Sequence, residues 1–112
     1  VMDDRDMDKL DEKFPAPWKP MTDPVDLKHI GKLGEELGEC QAAAMRCLIQ
    51  GIDGINPDDG KVNREWFQDE IADVLANIDL VVERFGLDEK KIGLRRLRKI
   101  VFLRKWHNRA GE

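Results

Sequence analysis

Three stretches of this chain repeat apolar residues at intervals of three and four, and that spacing sets the fold class. Such a period lines side chains along one stripe of a helix, whereas a half-buried strand alternates by two. The first stripe is Ile30, Leu33, Leu37, Cys40, Ala44 and Cys47 or Leu48. The second is Phe67, Ile71, Val74, Ile78, Val81 or Val82, and Phe85, and the third is Leu94, Leu97, Ile100, Val101 and Leu103. Thr22 or Asp23 suits an N-cap, Pro24 the first helical position and Gly51 a stop, which predicts a helix over residues 24–50. Asn63 is expected to cap a second helix that ends at Gly86, and Asp88 a third that runs to Asn108. Residues 51–62, GIDGINPDDGKV, read as loop. The expectation is an all-α, antiparallel bundle of three main helices. Three helices leave a thin core, so dimerisation into a four-helix-bundle-like core is expected to complete it. Gly31, Gly34 and Gly38 lie inside the first helix, each costing up to about 1 kcal/mol against Ala, and suit the close approach of another helix or a ligand.

Residues 1–20 are expected to form an acidic, Pro-rich and partly disordered arm, and residues 21–112 the helical domain. The first thirteen residues are polar and read as poorly ordered. Residues 14–20, FPAPWKP, place three prolines around Phe14 and Trp18, which reads as an extended segment. Charged residues make up 38% of the chain, well above the usual quarter, as expected of helices with wide solvated faces. The net charge of −4 is unevenly spread: the start is acidic, while Lys90–Arg109 carries nine Lys or Arg and no carboxylate. The two ends can complement each other, or the basic end can meet an anion. A duplex-DNA binder is more often basic overall, so a small polyanion fits better than nucleic acid. Cys40 and Cys47 are seven residues apart on one helix, roughly 10 Å, too far for a disulfide and consistent with a reducing, cytoplasmic setting. No segment is apolar for long enough to span a membrane, and no signal-peptide pattern is visible.

Two acidic patterns carry the chemistry. The first helix contains Glu35-Glu36-Leu37-Gly38-Glu39 and the second Glu70-Ile71-Ala72-Asp73. Counted from the centre of each apolar stripe, Glu36 and Glu70 fall near −60°, and Glu39 and Asp73 near −120°. In an antiparallel pair, equal offsets bring all four carboxylates to one side of the seam. Their mutual repulsion would be resolved by a hard divalent cation with oxygen ligands, Mg²⁺ in the first instance with Mn²⁺ as a substitute. Neither pair offers a Cys or a His at i+3, which argues against zinc and against a ferritin-like di-iron site. His29, Lys32 and Arg46 share the flank on the first helix, and Trp66, Asn77 and Arg84 on the second. Lys32 suits phosphate, Trp66 a stacked base or a core position, and Asn77 a sugar or base. Glu35 falls toward solvent, as a surface residue, an outer carboxylate or a base acting through water.

The pattern Glu-Glu-x-x-Glu followed on the next helix by Glu-x-x-Asp resembles the MazG-like all-α nucleoside triphosphate pyrophosphohydrolases. Here it reads EELGE at 35–39 and EIADVLANIDL at 70–80, and the tail KWHN at 105–108 with Arg109 and Gly111 is similar to the end of the family's last helix. The connection containing GINPDDG is longer than in compact members, and Arg109 follows Asn108 more closely than is usual. The resemblance implies hydrolysis of a nucleoside triphosphate, commonly a deoxynucleotide, to the monophosphate and pyrophosphate. It implies that Glu36, Glu39, Glu70 and Asp73 hold Mg²⁺, that Lys105 and Arg109 hold phosphate, and that Asn77 and Asn108 meet sugar or base. It also implies a homodimer or homotetramer. Three other readings stand beside it: a nucleic-acid-binding module using the basic third helix, a non-catalytic helical interaction domain, and a related pyrophosphohydrolase acting on phosphoribosyl-ATP or dUTP.

Overall fold

The computed structural model describes residues 3–13 and 17–110, Ala110 by its backbone only. The readings on Phe14, Pro15 and Gly111 lie outside these residues. The described residues form four helices, α1 (Asp4–Lys13), α2 (Pro24–Gln50), α3 (Asn63–Phe85) and α4 (Glu89–Ala110). The one extended pairing among them is an isolated antiparallel bridge between Ile55 and Val62. No helix is long and apolar enough to cross a membrane.

The three long helices begin and end where local chemistry directs. Asp23 Oδ1 accepts the Val25 and Asp26 amides at 2.8 and 3.1 Å, and Pro24 opens the helix without an amide to satisfy. The Gly51 amide donates to the Cys47 carbonyl at 2.9 Å and closes α2. Gly86 takes the left-handed conformation, φ 58° and ψ 40°, which a residue with a Cβ adopts at a cost, and ends α3. Asp88 Oδ1 accepts the Lys91 amide at 3.0 Å and starts α4.

One expectation is corrected, and one helix was not expected. α1 lies within the acidic segment read as poorly ordered. Asp3 Oδ1 accepts the Asp6 amide at 3.0 Å and Asp6 Oδ2 accepts the Asp3 amide at 3.3 Å, a reciprocal cap that composition alone conceals. The amide bond from Asp6, and then the Arg5 guanidinium, hold the Asp3 carboxyl below its ordinary range. No residue of α1 is buried. Asn63, in turn, does not cap α3. Val62 stands at the cap without a side-chain bond, and Asn63 is the first helical residue. Asn63 is fully buried, and its Nδ2 donates to Gln50 Oε1 and to the Gly51 carbonyl, both at 3.1 Å. Its own amide donates to the Gly54 carbonyl at 2.9 Å. Its Oδ1 is buried without a partner, at a cost of about 1–3 kcal/mol, while the two Nδ2 bonds fasten the end of α2 to the start of α3.

The long connection is therefore a clasp. A Cβ on Gly54 would stand 2.5 Å from the Gln50 carbonyl oxygen, so only glycine fits that turn. Arg64 pairs with both oxygens of Asp53, at 2.8 and 3.1 Å, across the clasp. At the far end of the hairpin Arg84 meets Asp26 at 2.8 Å and Asp23 at 3.3 Å. Pinned at both ends, α2 and α3 run antiparallel and make the only extensive helix–helix packing among the described residues.

α4 does not close a three-helix bundle within the chain. Leu94, Leu97, Val101 and Phe102 are each more than half exposed. Among the described residues, the buried hydrophobic side chains are Ala43 and Val81 alone. The radius of gyration is 20.6 Å, against about 13 Å for a compact domain of this length. The accessible surface is 9854 Å², against about 6,300 Å² for a folded monomer of 12.9 kDa.

Candidate metal centre

The α2–α3 seam carries five carboxylates near its middle. Side-chain oxygens of Glu36, Glu70 and Asp73 lie within 4.8 Å of one another, and so do those of Glu35, Glu36 and Glu39. Glu36 belongs to both triads and is buried, with 7% of its surface exposed. Helix geometry explains the assembly. Glu36 and Glu39, like Glu70 and Asp73, are i, i+3 neighbours, and the antiparallel hairpin turns both pairs to one side. The sequence count placed Glu35 toward solvent. It is exposed, yet its carboxylate joins the first triad.

The two most enclosed carboxylates share one pattern. Glu36 Oε1 is 3.1 Å from the Lys32 ammonium, one helical turn back. Glu70 Oε1 accepts the Trp66 indole N–H at 3.1 Å, also one turn back. In each case the second oxygen, Oε2, is buried and without a partner. A buried carboxylate oxygen without a donor is costly, and two of them in one acidic cluster are open to a cation. All the donor atoms are carboxylate oxygens, which suits Mg²⁺, Mn²⁺ or Ca²⁺ rather than a thiophilic metal.

The electrostatics agree. The Glu39 carboxyl is pushed above its ordinary value of 4.5, first by the charge of Glu36, then by desolvation, then by Glu70 and Glu35. Hydrogen bonds to Glu36 and then to Glu35 hold the Lys32 ammonium above its ordinary range. A carboxyl raised by folding binds its proton more readily in the folded state. The metal-free protein therefore loses stability as the pH rises from about 4.5 through the raised value of Glu39. Thermal melts in EDTA, wild type against Glu39→Gln, are expected to diverge across this window, the wild type falling relative to the variant. Asp23 and Asp53, whose carboxyls are held low by amide bonds and by Arg64 respectively, act in the opposite sense in both proteins and cancel. Mg²⁺ is expected to flatten the difference.

The other sequence candidates divide. Lys32, Trp66 and Asn77 stand beside the carboxylates and bond to them or to their backbone. Lys32 pairs with Glu36 and, at 3.3 Å, with Glu35. The Trp66 indole orients Glu70. Asn77 Nδ2 donates to the Asp73 backbone carbonyl at 2.8 Å, which leaves its oxygen as the free acceptor. Lys32 to Glu36, Trp66 to Glu70 and Asn77 to Asp73 are each four residues apart, a spacing that the sequence displayed. His29 Nδ1 bonds the Val25 carbonyl at 2.8 Å within α2, and Arg84 is taken by the hairpin clamp. Lys105, Asn108 and Arg109 are exposed on the last turns of α4 and make no hydrogen bond or ion pair with the cluster. Gly31, Gly34 and Gly38 have nothing within 4 Å of a Cβ position and line an uncovered face of α2. Compared with known proteins, the chain matches no family model, no curated protein and no solved structure.

Proposed function

We propose that this chain is a Mg²⁺-dependent pyrophosphohydrolase of the MazG-like type, converting a nucleoside triphosphate, in the first instance a deoxynucleotide, to its monophosphate and pyrophosphate. The observation that carries this reading is the pair of orphaned, buried oxygens on Glu36 and Glu70, set among three further carboxylates. Glu36, Glu39, Glu70 and Asp73 are the residues to hold the ions. Bound there, Mg²⁺ would supply compensation for phosphate charge and would acidify water.

The chain's own groups do the rest. Trp66 and Lys32 each occupy one oxygen of a carboxylate and so aim the other into the cluster. Glu35, exposed at the rim, is placed to accept a proton from water. The Asn77 oxygen offers an acceptor for a sugar hydroxyl or a base. Lys105, Asn108 and Arg109 reach substrate phosphates or base from a second copy, because their own α4 does not pack along the hairpin.

The surface supports assembly as a dimer or a dimer of dimers. The chain exposes roughly 3,500 Å² more than a compact monomer of its mass, and obligate interfaces bury on the order of 2,000–5,000 Å². The uncovered row Leu27, Gly31, Gly34, Gly38, Met45 and Leu48 on α2 offers small residues for close helix contact. The groove between α3 and α4, about 890 Å³ and lined by Leu75, Ile78, Val82, Ile92, Ile100 and Leu103, offers an apolar seat for a helix.

Release of pyrophosphate and monophosphate from a panel of NTPs and dNTPs, with Mg²⁺ and with EDTA, tests the reading. Turnover that needs Mg²⁺ and disappears in Glu70→Ala is expected. No turnover of any nucleotide by folded, Mg²⁺-loaded protein would refute it. Trp66→Phe keeps the ring and removes the N–H. It is expected to weaken Mg²⁺ affinity about 10–100-fold, read by titration calorimetry, with the helical circular dichroism unchanged.

A further inference from the structure

α1 and the outer face of α4 carry opposite charge, and both are exposed among the described residues. On α4, Lys91, Arg95, Arg98, Phe102, Lys105 and Arg109 step by four and three, so they form one straight stripe. All six are exposed. Arg95, Arg98, Lys99 and Phe102 surround a recess of about 290 Å³, with the Lys99 ammonium 5.6 Å from the centre of the Phe102 ring. Trp106, one turn after Phe102, is 56% exposed beside it. The first part of this stripe, Lys91 and Arg95, also lines the α3–α4 groove beside Ile92, Ile100 and Leu103, while Arg98, Phe102, Lys105 and Arg109 lie outside it.

α1 supplies the complement. Its cap residue Asp3, with Met7, Leu10 and Asp11, falls along one face, and Asp4 stands at the edge of that face. Arg5, Lys9 and Lys13 step by four along a row about 200° away. Arg5 reaches round to pair with Asp3 Oδ2 at 3.2 Å, and Asp8 and Glu12 share the back, so the front keeps the carboxylates of Asp4 and Asp11 with two exposed apolar side chains. An isolated helix of ten residues is marginal in water, and α1 buries nothing and packs extensively on no helix of its own chain. A flexible thioether such as Met7 also suits the edges of Phe102 and Trp106.

We propose that the front of α1 from a second copy docks on the Arg95–Arg98–Phe102–Lys105 stripe of α4. Carboxylates of Asp4 and Asp11 then face the guanidinium and ammonium groups, and Met7 and Leu10 cover Phe102. The ten residues between Lys13 and Pro24 bound the distance α1 can travel at about 30 Å. The docking does not depend on what the carboxylate cluster binds. Since Lys105 and Arg109 lie on the stripe, a docked α1 competes there with any other anion.

The test uses an equal mixture of ¹⁴N- and ¹⁵N-labelled full-length protein and a carbodiimide, which joins a carboxylate to a lysine amine. Amide links from Asp4 or Asp11 to Lys99 or Lys105 between peptides of different isotope are expected. They should fall roughly tenfold in 1 M salt, where charges are screened within about 3 Å, and in the Arg95→Glu, Arg98→Glu variant. Absence of α1–α4 links, or links only between peptides of one isotope, would overturn the proposal. A single-stranded oligonucleotide distinguishes the other polyanion: its affinity should rise about tenfold in Asp4→Asn, Asp11→Asn protein, where the competitor is weakened and no cation is added. Tight oligonucleotide binding that is the same in both proteins would give the face to nucleic acid and overturn the proposal as well.

Discussion

Replacing Glu36 by Gln is expected to abolish Mg²⁺-dependent turnover while raising the melting temperature of the metal-free protein. Both effects arise from one fact. Glu36 is the carboxylate common to the two triads, and it is buried with one oxygen unpaired. A ligand that supplies several kcal/mol of charge stabilisation in the transition state corresponds to about 10³-fold in rate, so a loss of that order is expected. Without metal the same carboxylate is a liability. It faces Glu35, Glu39, Glu70 and Asp73, and among the described residues the exposed Lys32 is the only cation within ion-pair distance of it. A neutral amide of equal size removes the repulsion and is expected to add about 1 kcal/mol, several degrees in Tm for a domain of this size. Calorimetry in EDTA and in Mg²⁺, beside phosphate release, measures both. Wild-type Tm should rise with Mg²⁺ and that of the variant should not. A variant that keeps its rate, or one that melts lower than wild type in EDTA, would show that Glu36 serves only the fold.

The second large effect concerns assembly. The Tm is expected to rise with protein concentration, and strong dilution is expected to unfold the chain rather than release native monomers. A chain whose buried hydrophobic side chains are Ala43 and Val81 has little core with which to offset the conformational entropy of ordering. Its stripes on α2, α3 and α4 remain partly open: Leu37, Ile71 and Leu97 are all more than 40% exposed. Covering this surface from a second copy couples folding to association. A hundredfold change in concentration is then worth about 2.7 kcal/mol. Melts across about two decades of concentration, with the mass measured by light scattering, check this. A native monomer with a concentration-independent Tm would refute it.

The helix ends were legible because their causes are local. Asp23, Pro24, Gly51, Gly86 and Asp88 act on amides and carbonyls within one turn, and the structure uses each of them at the expected place. The same locality reveals the cap of α1 in hindsight, since Asp3 and Asp6 stand three residues apart. Composition outweighed it, because aspartate-rich segments are more often disordered than helical. Asn63 shows the opposite case. Its side chain serves Gln50 and Gly51, which lie close only once the connection has folded, so a rule about caps assigned it the wrong partner.

The carboxylate cluster lies between these cases. Helix periodicity put both acidic pairs on one side of an antiparallel hairpin, and that much follows from 100° per residue. Burial followed from packing. Only the fitted seam makes Glu36 the enclosed member, leaves Asp73 exposed, and strands Oε2 of Glu36 and Glu70. Lys32, Trp66 and Asn77 were marked by their flank, and the structure set them to the carboxylates themselves or their backbone.

The sequence by itself determined that this chain is helical, where its long helices run, and that two acidic pairs must meet if α2 and α3 pack antiparallel. These follow from period and capping, which act over a few residues. The tertiary structure alone decided which carboxylate is enclosed, how a buried asparagine clasps the hairpin, and that α4 stays off it. A period of three and four says that a face needs covering and is silent on what covers it, because that depends on contacts between residues far apart in the chain or in another copy.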